Sequence, residues 1–255
     1  MTGKELKDKM ARGEAVYGTF IQHSVTPSIV DWIPEGSLDF VIVTAEHNAL
    51  ELAEFLPLRY ALKDKGILTL ARIHSREPDD VSKVCDSFDG AVVPYVEDVD
   101  HCKKLAAAAV YRPLKGKALD QVLAGGAWPS EATQQYVENK CRDTVFVPMI
   151  ESVRGMENLD DICAIPGVHA VFVGPNDLTV SMGIPNEYDH PDLIKALGTI
   201  INTAQRHHVA AGCWFGKPEQ MQRTIKQGSG FVVYSNDGLL LKNTLAENFD
   251  LLRKR

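Results

Sequence analysis

The runs Phe40-Val41-Ile42-Val43 and Ala91-Val92-Val93 decide the fold class of this chain. Neither run alternates between apolar and polar residues, as a strand with one face in water does. Continuous apolar runs of this kind are typical of strands that are buried on both faces, and such strands form parallel sheets covered by helices. The two runs therefore predict an α/β protein with a parallel sheet.

Six further β-branched or aromatic runs lie along the chain, separated by longer amphipathic stretches. The eight predicted strands cover residues 15–20, 39–45, 67–73, 90–96, 144–151, 170–175, 210–215 and 231–236. Helices are predicted over residues 80–88, which begin with acidic residues after Pro78, and over residues 191–208, where apolar residues recur at helical spacing. Strands that alternate with helices in this way indicate a closed (β/α)8 barrel or an open doubly wound sheet.

Length and missing motifs favour the closed barrel. The chain has 255 residues, which is close to the usual length of one (β/α)8 barrel. No GxGxxG fingerprint follows the first strand and no Walker loop is present, so nucleotide-binding open sheets lose support. We expect a single (β/α)8 TIM barrel domain over residues 1–255. A long excursion around residues 112–143 is expected to be a lid, an interface arm or an unrecognised element.

Charge and composition argue against several classes of partner. Lysine and arginine number 27 against 34 aspartates and glutamates, and no basic stripe is present, so no nucleic-acid partner is expected. No apolar run is long enough to span a membrane, and the charged first residues do not form a secretory signal. The five cysteines are scattered without a CxxC pair, which is typical of reduced thiols in a cytoplasmic protein.

Polar residues at the predicted strand ends indicate where the chemistry lies, because the active site of a parallel barrel is at the carboxyl ends of its strands. Glu46-His47 follows the second strand, Arg72 ends the third, Glu151 ends the fifth, and Asp177 follows the sixth. Carboxylates and water suit a hard divalent cation such as Mg²⁺ or Mn²⁺, which stabilises a developing enolate. An arginine grips a carboxylate with two hydrogen bonds, and a histidine moves protons at neutral pH.

A Schiff-base aldolase needs a desolvated lysine that faces the barrel. None of the eight predicted strands contains a lysine. Lys115, Lys117 and Lys217 lie outside the strands, so the exclusion is incomplete. The balance therefore shifts towards a metal-dependent enzyme.

Each candidate residue also has a purely structural interpretation. Arg72 would pair with an acid, Asp177 would form a turn or a helix cap, and Glu151 would complement a helix dipole. Asp86, on the helix that leads into the fourth strand, would be a surface acid, and His47 a loop residue. The functional hypothesis rests on the combination of residues at one end of the barrel.

The order and spacing of these residues resemble those of the HpcH/HpaI class II pyruvate aldolases, over roughly residues 18–241. The matching motifs are Ile150-Glu151-Ser152, Ile165-Pro166-Gly167-Val168, Val171-Phe172-Val173-Gly174-Pro175-Asn176-Asp177-Leu178 and Ser181-Met182-Gly183. The resemblance implies a (β/α)8 barrel and a metal-dependent lyase that cleaves or forms 2-keto-4-hydroxy acids through a pyruvate enolate, with a keto acid and an aldehyde as partners. It implies that Glu151 and Asp177 are the ligands of Mg²⁺, Mn²⁺ or Co²⁺.

The resemblance implies roles for the other site residues as well. Arg72 would hold the pyruvyl oxygens, and His47 and Asp86 would form a dyad for acid–base chemistry through water. The turn Gly174-Pro175-Asn176 would receive the substrate carboxylate. The family also implies a homo-oligomer, namely a hexamer built as a dimer of trimers with the last helix exchanged between neighbours.

Several positions depart from the family pattern and indicate a changed pocket. Thr44 stands where the family has aspartate, and Met149 where it has glutamine. Ala118 stands where the family has arginine, with Lys117 as the nearest cation, and Trp214 replaces a small or aliphatic residue. We therefore expect Met149 and Trp214 among the substrate-binding residues, in a pocket that prefers short aldehydes.

Two other functions stay open. The same centre would serve an oxaloacetate-type decarboxylase or a CitE-like acyl-CoA lyase, although only Lys115 and Lys117 offer a basic approach for CoA. A non-catalytic metal-binding barrel is the third interpretation, which the changes at Met149 and Ala118 allow.

Overall fold

Eight parallel strands close into a barrel in chain order, so that each strand pairs with the next and the last pairs with the first. The computed structural model describes residues 1–254. The strands are β1 (Val16–Ile21), β2 (Phe40–Thr44), β3 (Leu68–Arg72), β4 (Gly90–Val93), β5 (Val145–Ile150), β6 (Ala170–Val173), β7 (Ala210–Phe215) and β8 (Phe231–Asn236). The predicted (β/α)8 barrel is confirmed, and each predicted strand overlaps an observed one.

Helices connect the strands and cover the barrel. They are α1 (Gly3–Ala11), α2 (Leu56–Asp64), α3 (Pro78–Ser87), α4 (Val99–Val110), α5 (Gly116–Leu123), α6 (Glu131–Cys141), α7 (Val153–Glu157), α8 (Leu159–Cys163), α9 (Pro175–Ser181), α10 (Pro191–Arg206), α11 (Pro218–Lys226) and α12 (Asp237–Arg253). Two short 3-10 helices cover Pro27–Trp32 and Leu52–Phe55. No helix within residues 1–254 is both long enough and apolar enough to cross a membrane.

The two helices predicted from the sequence are present as α3 and α10. The excursion around residues 112–143 contains α5 and α6, so much of it is regular structure that the sequence patterns did not reveal. The eight residues of α5 bury no side chain, and so short a segment gives little room for helical spacing to stand out. Helix α6 begins with an N-cap that the sequence contains, because the Ser130 side chain accepts a hydrogen bond from the backbone N–H of Thr133.

The strands are apolar on both faces because both faces are buried. Phe40, Ile42 and Phe172 belong to the set of side chains that fills the barrel interior. Val41 and Val43 belong to the alternate set, which packs between the strands and the helices. This arrangement explains why residues 40–43 form an unbroken apolar run.

The same alternation determines which side chains reach the mouth of the barrel, defined here as the end at which the strands have their carboxyl ends. Met149 faces the interior, and Glu151 follows it by two residues on the same side. Phe172 faces the interior as well, and Gly174 follows it by two residues. Residues that follow the last interior side chain of a strand by two positions therefore meet at the mouth, where barrel enzymes have their active sites.

Candidate active site

Glu151 is a buried carboxylate just beyond the end of β5, with 5% of its surface exposed. Its Oε2 atom accepts a hydrogen bond of 2.8 Å from the backbone N–H of Tyr95. Burial raises the pKa of Glu151 to about 7, and the negative charges of Asp177 and Glu46 act in the same direction. A buried acid that two further carboxylates repel is a place where a cation would bind favourably.

Gly174 makes room for that carboxylate. A Cβ atom on residue 174 would overlap Oε1 of Glu151, so only glycine leaves the space that the acid occupies. The φ angle of Gly174 is −85°, which any residue adopts, so close approach and not backbone conformation requires glycine here. The glycine thus brings the first turn of α9 against the end of β5.

Asp177 lies in the first turn of α9, two residues after Pro175, and its side chain is partly exposed. The helix is capped at Gly174 without a side-chain hydrogen bond, so Asp177 is not its N-cap. Within residues 1–254 the carboxylate of Asp177 makes no hydrogen bond and no ion pair. It is therefore free to bind a ligand at the mouth.

Arg72 ends β3 with its guanidinium largely buried and surrounded by acids. Its Nε atom donates a hydrogen bond of 2.9 Å to Oγ1 of Thr44 and lies 3.1 Å from Oε2 of Glu46. The guanidinium carbon is 5.0 Å from the centre of the Phe20 ring. Burial lowers the pKa of Arg72, whereas the charges of Glu46, Glu151 and Asp177 raise it. In the described part of the chain both Nη atoms lack a hydrogen-bond partner, so they are available to a ligand carboxylate.

Glu46 and His47 lie beside Arg72 at the mouth. The Oε2 atom of Glu46 is buried and its contact with Arg72 is an ion pair without the alignment of a hydrogen bond. His47 has a left-handed backbone, with a φ angle of 66°, and its side chain is 68% exposed. Its Nε2 atom lies 3.8 Å from Oε1 of Glu46. The acid that lies beside the His47 ring in the described residues is thus Glu46.

The structure does not bring Asp86 to His47. Asp86 is in the last turn of α3, which leads into the amino end of β4, so it lies at the end of the barrel opposite the mouth. Its carboxylate accepts a hydrogen bond of 2.8 Å from Nε of Arg112 and is 63% exposed. The expected dyad of His47 and Asp86 is therefore not formed within one chain, because a residue that precedes a strand points to the other rim.

The remaining predicted site residues lie at or below the mouth. Met149 is buried in the barrel interior one layer beneath Glu151, where it forms part of an apolar floor with Phe20 and Phe172. Trp214 is half-buried, packs against the same interior cluster and donates a hydrogen bond of 2.9 Å from Nε1 to the backbone oxygen of Ser235.

The turn predicted to receive the substrate carboxylate forms the start of α9. Gly174 and Pro175 are buried there, whereas Asn176 is exposed, with its Oδ1 atom 3.4 Å from the hydroxyl group of Tyr188. Backbone N–H groups in the first turn of a helix lack partners within the helix and favour anions.

The structure gives roles in the site to two further residues, Thr44 and Tyr95. Thr44, noted in the sequence only as a departure, holds Nε of Arg72, and its place two residues before Glu46 in the interior alternation is a signal that pointed to it. Tyr95 donates its backbone N–H to Glu151 from a left-handed conformation with a φ angle of 54°. Nothing in the residue type of Tyr95 indicates that conformation.

The donor set fits a cation with two protein ligands. No group of three or more histidine, cysteine, aspartate or glutamate side chains in residues 1–254 is arranged to hold a metal ion. Mg²⁺ commonly binds proteins through one or two carboxylates and keeps water or substrate oxygens in its other positions. The buried Glu151 and the unpaired Asp177 meet that requirement.

Comparison with known proteins shows which family shares this sequence and architecture. The family model for HpcH/HpaI aldolase/citrate lyase matches residues 18–244. The 5-keto-4-deoxy-D-glucarate aldolase of Escherichia coli O6:H1 is 25% identical over 217 residues, which are 85% of this chain and 84% of that protein. The crystal structure of an HpcH/HpaI aldolase from Desulfitobacterium hafniense DCB-2 superposes with a TM-score of 0.82 at 26% identity, covering 98% of this chain and 97% of the other.

A more distant structure shares the fold alone. The citrate lyase beta subunit from M. tuberculosis, complexed with oxaloacetate and magnesium, gives a TM-score of 0.55 at 14% identity and covers 89% of this chain and 93% of its own. The family model spans most of the sequence, including every residue of the mouth described above. The chain therefore belongs to the HpcH/HpaI aldolase/citrate lyase family.

Proposed function

We propose that this protein is a divalent-metal-dependent aldolase that cleaves or forms 2-keto-4-hydroxy acids through a pyruvate enolate. Membership in the HpcH/HpaI aldolase/citrate lyase family supports a role as a lyase. The observation that carries the finer proposal is the convergence of three groups at one mouth. These are the buried Glu151 against Gly174, the unpaired carboxylate of Asp177, and Arg72 with both Nη atoms free.

Glu151 and Asp177 would hold Mg²⁺, Mn²⁺ or Co²⁺. The magnesium in the M. tuberculosis citrate lyase beta subunit supports a divalent cation in this fold. When bound, such a cation supplies the positive charge that stabilises a developing enolate. The raised pKa of Glu151 agrees with this assignment, because a nearby cation would favour its ionised form.

Arg72 binds and orients the keto acid. Its Nε atom is held by Thr44 and Glu46, so the two Nη atoms form a fixed fork that matches the oxygens of a pyruvyl group. Phe20 packs beneath the guanidinium and keeps water from that side. The turn Gly174-Pro175-Asn176 at the start of α9 would receive the substrate carboxylate, and because Pro175 has no N–H, the backbone N–H of Asn176 would be a donor there.

His47 moves the proton of the 4-hydroxyl group. In the cleavage direction its imidazole accepts that proton, directly or through water, as the carbon–carbon bond breaks to an aldehyde and an enolate. The enolate carbon then takes a proton to give pyruvate. The Oε1 atom of Glu46 lies 3.8 Å from Nε2 of His47, so this acid is beside the imidazole that moves the proton.

A second candidate is an acyl-CoA lyase or an oxaloacetate decarboxylase at the same mouth, because the matching family model also covers citrate lyase. Both would use Arg72, Glu151 and Asp177 in the same way and would differ in the bond that breaks. Product analysis separates them from an aldolase, since they release a thioester or carbon dioxide in place of an aldehyde.

We further propose a hexamer, a dimer of trimers, in which α12 is exchanged between neighbouring copies. None of the 17 residues of α12 is buried, and Leu241, Leu251 and Leu252 are 64–76% exposed. Beside its first turn lies a largely apolar groove of about 910 Å³ between β1, β8 and the 3-10 helix Pro27–Trp32. An exposed apolar helix next to an uncovered apolar groove in one chain supports mutual covering by two copies.

The assembly is tested with Leu241→Glu and Leu252→Glu, which place charge on the apolar face of α12. Native mass spectrometry should show a hexamer for the wild type and smaller species for the variants. A wild type that stays monomeric at micromolar concentration would refute the exchange.

We also propose that the protein acts in the cytoplasm. All five cysteines are buried and unpaired within residues 1–254, which agrees with a reducing compartment.

The proposed reaction is tested first without an aldehyde. Pyruvate in heavy water should exchange its methyl protons in the presence of protein and Mg²⁺, and this exchange separates an enzyme from a non-catalytic barrel. A panel of aldehydes, read by product mass, then tests bond formation. Absence of exchange with every divalent metal offered would refute the proposal.

A further inference from the structure

Asn48 comes directly after the proposed proton carrier His47 and holds the loop that follows β2. Its Nδ2 atom donates a hydrogen bond of 2.9 Å to the backbone oxygen of Thr44 and one of 3.2 Å to the backbone oxygen of Gln22. Its Oδ1 atom accepts a hydrogen bond of 2.9 Å from the backbone N–H of Leu50. One partly buried side chain thus joins the end of β2, the loop after β1 and the next residues of its own loop.

The hydrogen bond from Asn48 to Thr44 closes the turn that carries His47. The φ angle of His47 is 66°, a conformation that costs energy in a residue with a side chain and that persists where surrounding contacts demand it. The His47 side chain is largely exposed, so packing does not hold it. The position of the imidazole therefore depends on the backbone of this turn, and Asn48 ties that backbone down.

The contact that Asn48 makes outside its own loop is with a segment that is itself fixed. The backbone N–H groups of Gln22, His23 and Ser24 all donate to the carboxylate of Asp237, over 2.9–3.2 Å. Asp237 is the first residue of α12 and directly follows β8. The loop after β1 is thereby anchored to the end of another strand, and it gives the turn after β2 a fixed reference at the mouth.

Arg72 is held by contacts that do not involve Asn48. Its Nε atom donates to the side chain of Thr44, whereas Asn48 donates to the backbone oxygen of that residue. Strands β2 and β3 also pair at Thr44 and Arg72. Loss of the Asn48 side chain should therefore displace His47 and leave Arg72 in place.

We propose that Asn48 is a positioning residue that sets His47 for proton transfer with the 4-hydroxyl group of the substrate. It acts through His47 and not on the reacting atoms. A proton carrier must lie within hydrogen-bond reach of the proton it moves, and a misplacement of about 1 Å costs about 100-fold in rate. This inference rests on the proposed aldolase function and adds to it the group that holds the exposed base in place.

The test measures two rates of Asn48→Ala in the presence of Mg²⁺. These are the cleavage of the adduct of pyruvate and glycolaldehyde, and the exchange of the methyl protons of pyruvate in heavy water. We expect kcat for cleavage to fall by about 10- to 100-fold with little change in KM, because the substrate still binds but its proton is poorly placed. Proton exchange, which depends on the metal and on Arg72, should stay close to the wild-type rate.

Gln205→Ala is the matched control. The Nε2 atom of Gln205 also donates across the chain to a backbone oxygen, that of Gly228, over 3.0 Å. Gln205 lies at the end of α10, which leads into the amino end of β7, so this contact is at the end of the barrel opposite the mouth. Both rates should therefore match those of the wild type.

The same substitution in a His47→Ala background shows whether Asn48 acts through His47. Acid–base catalysis by one residue contributes about 10²- to 10⁴-fold, so His47→Ala should keep a slow but measurable cleavage. Asn48→Ala should lower that residual rate no further, because the effects of two residues that act as one unit do not add.

Three results would overturn the inference while the aldolase proposal stands. These are unchanged cleavage in Asn48→Ala, an equal loss of cleavage and exchange in that variant, and a further fall of cleavage in the His47→Ala background. A wild type that neither exchanges the protons of pyruvate nor cleaves the adduct overturns both proposals.

Discussion

The carboxylate of Glu151 occupies the space in which residue 174 would otherwise carry a Cβ atom. The glycine lies at the N-cap of α9, and the acid lies just beyond β5. This contact explains why a residue with an ordinary φ angle of −85° is a glycine. It also ties the position of one candidate metal ligand to the helix that carries the other, Asp177.

Gly174→Ala should therefore weaken metal binding. The added methyl group must displace the Glu151 carboxylate, and disturbing a group that orients a ligand usually costs about 10- to 100-fold in affinity. Isothermal titration with Mn²⁺ measures the effect. Gly216→Ala is the matched control, because its added Cβ would meet its nearest neighbour, a methyl carbon of Leu239, at an ordinary 3.6 Å. Equal affinities for the two variants would mean that Glu151 is not held by this contact.

Activity should depend strictly on a divalent metal. None of the eight observed strands contains a lysine, so no Schiff-base nucleophile faces the interior from them. Chelation should abolish pyruvate proton exchange, and Mg²⁺, Mn²⁺ or Co²⁺ should restore it. Reduction with borohydride in the presence of pyruvate, followed by mass spectrometry of metal-free protein, is the decisive measurement. A trapped adduct would establish a Schiff base and contradict the proposed mechanism.

Neutralising either proposed metal ligand should weaken the binding of the metal. Glu151→Gln and Asp177→Asn each remove a charged oxygen, and a hard cation should bind about 10- to 1,000-fold more weakly. Calorimetry on the pure proteins gives the affinities without requiring activity. Asp161→Asn, which changes an exposed acid of α8, should bind metal as the wild type does. If both ligand variants keep the wild-type affinity, the assignment of Glu151 and Asp177 is wrong.

The sequence predicted those residues that a strand carries to the mouth by its own alternation. Glu151 follows Met149 and Arg72 ends an apolar run, so knowing which runs are strands was enough to place them at one rim. Asp86 was expected beside His47 only from the family resemblance, whereas a helix that leads into a parallel strand ends at the amino end of that strand, so within one chain Asp86 lies at the end of the barrel opposite the mouth. Tyr95 was missed because its contact with Glu151 uses only backbone atoms, which no side-chain pattern records.

Substitutions of Arg72 and His47 should lower different activities. Arg72→Lys keeps the charge but loses the fork that Thr44 and Glu46 orient, so both pyruvate binding and proton exchange should fall by at least about tenfold. His47→Ala removes a proton carrier at the exposed rim, so aldol cleavage should fall while some pyruvate exchange remains. The two rates are measured separately, by NMR for exchange and by aldehyde release for cleavage. Equal loss of both rates in His47→Ala would contradict this division of roles.

Trp214 should limit the length of the acceptor aldehyde. Its ring packs against the barrel interior beside β8, and its Nε1 atom is tied to the backbone oxygen of Ser235, so the indole is held across one side of the mouth. The ring atoms Cη2 and Cζ2 come within 3.8–3.9 Å of the Cβ position of Gly216, which places the indole over the end of β7. An aromatic group of this size fills space that a longer aldehyde would need.

The wild type should therefore prefer glycolaldehyde to succinic semialdehyde in kcat/KM. Trp214→Leu should shift that ratio towards the longer aldehyde by about 10- to 200-fold, the discrimination that a gain or loss of about one methylene of apolar contact, about 1–3 kcal/mol, provides. Trp214→Phe is the control that keeps an aromatic ring but loses the hydrogen bond to Ser235, and it should give a smaller shift. A wild type that already favours succinic semialdehyde, or a ratio that Trp214→Leu leaves unchanged, would mean that the indole only packs within the barrel.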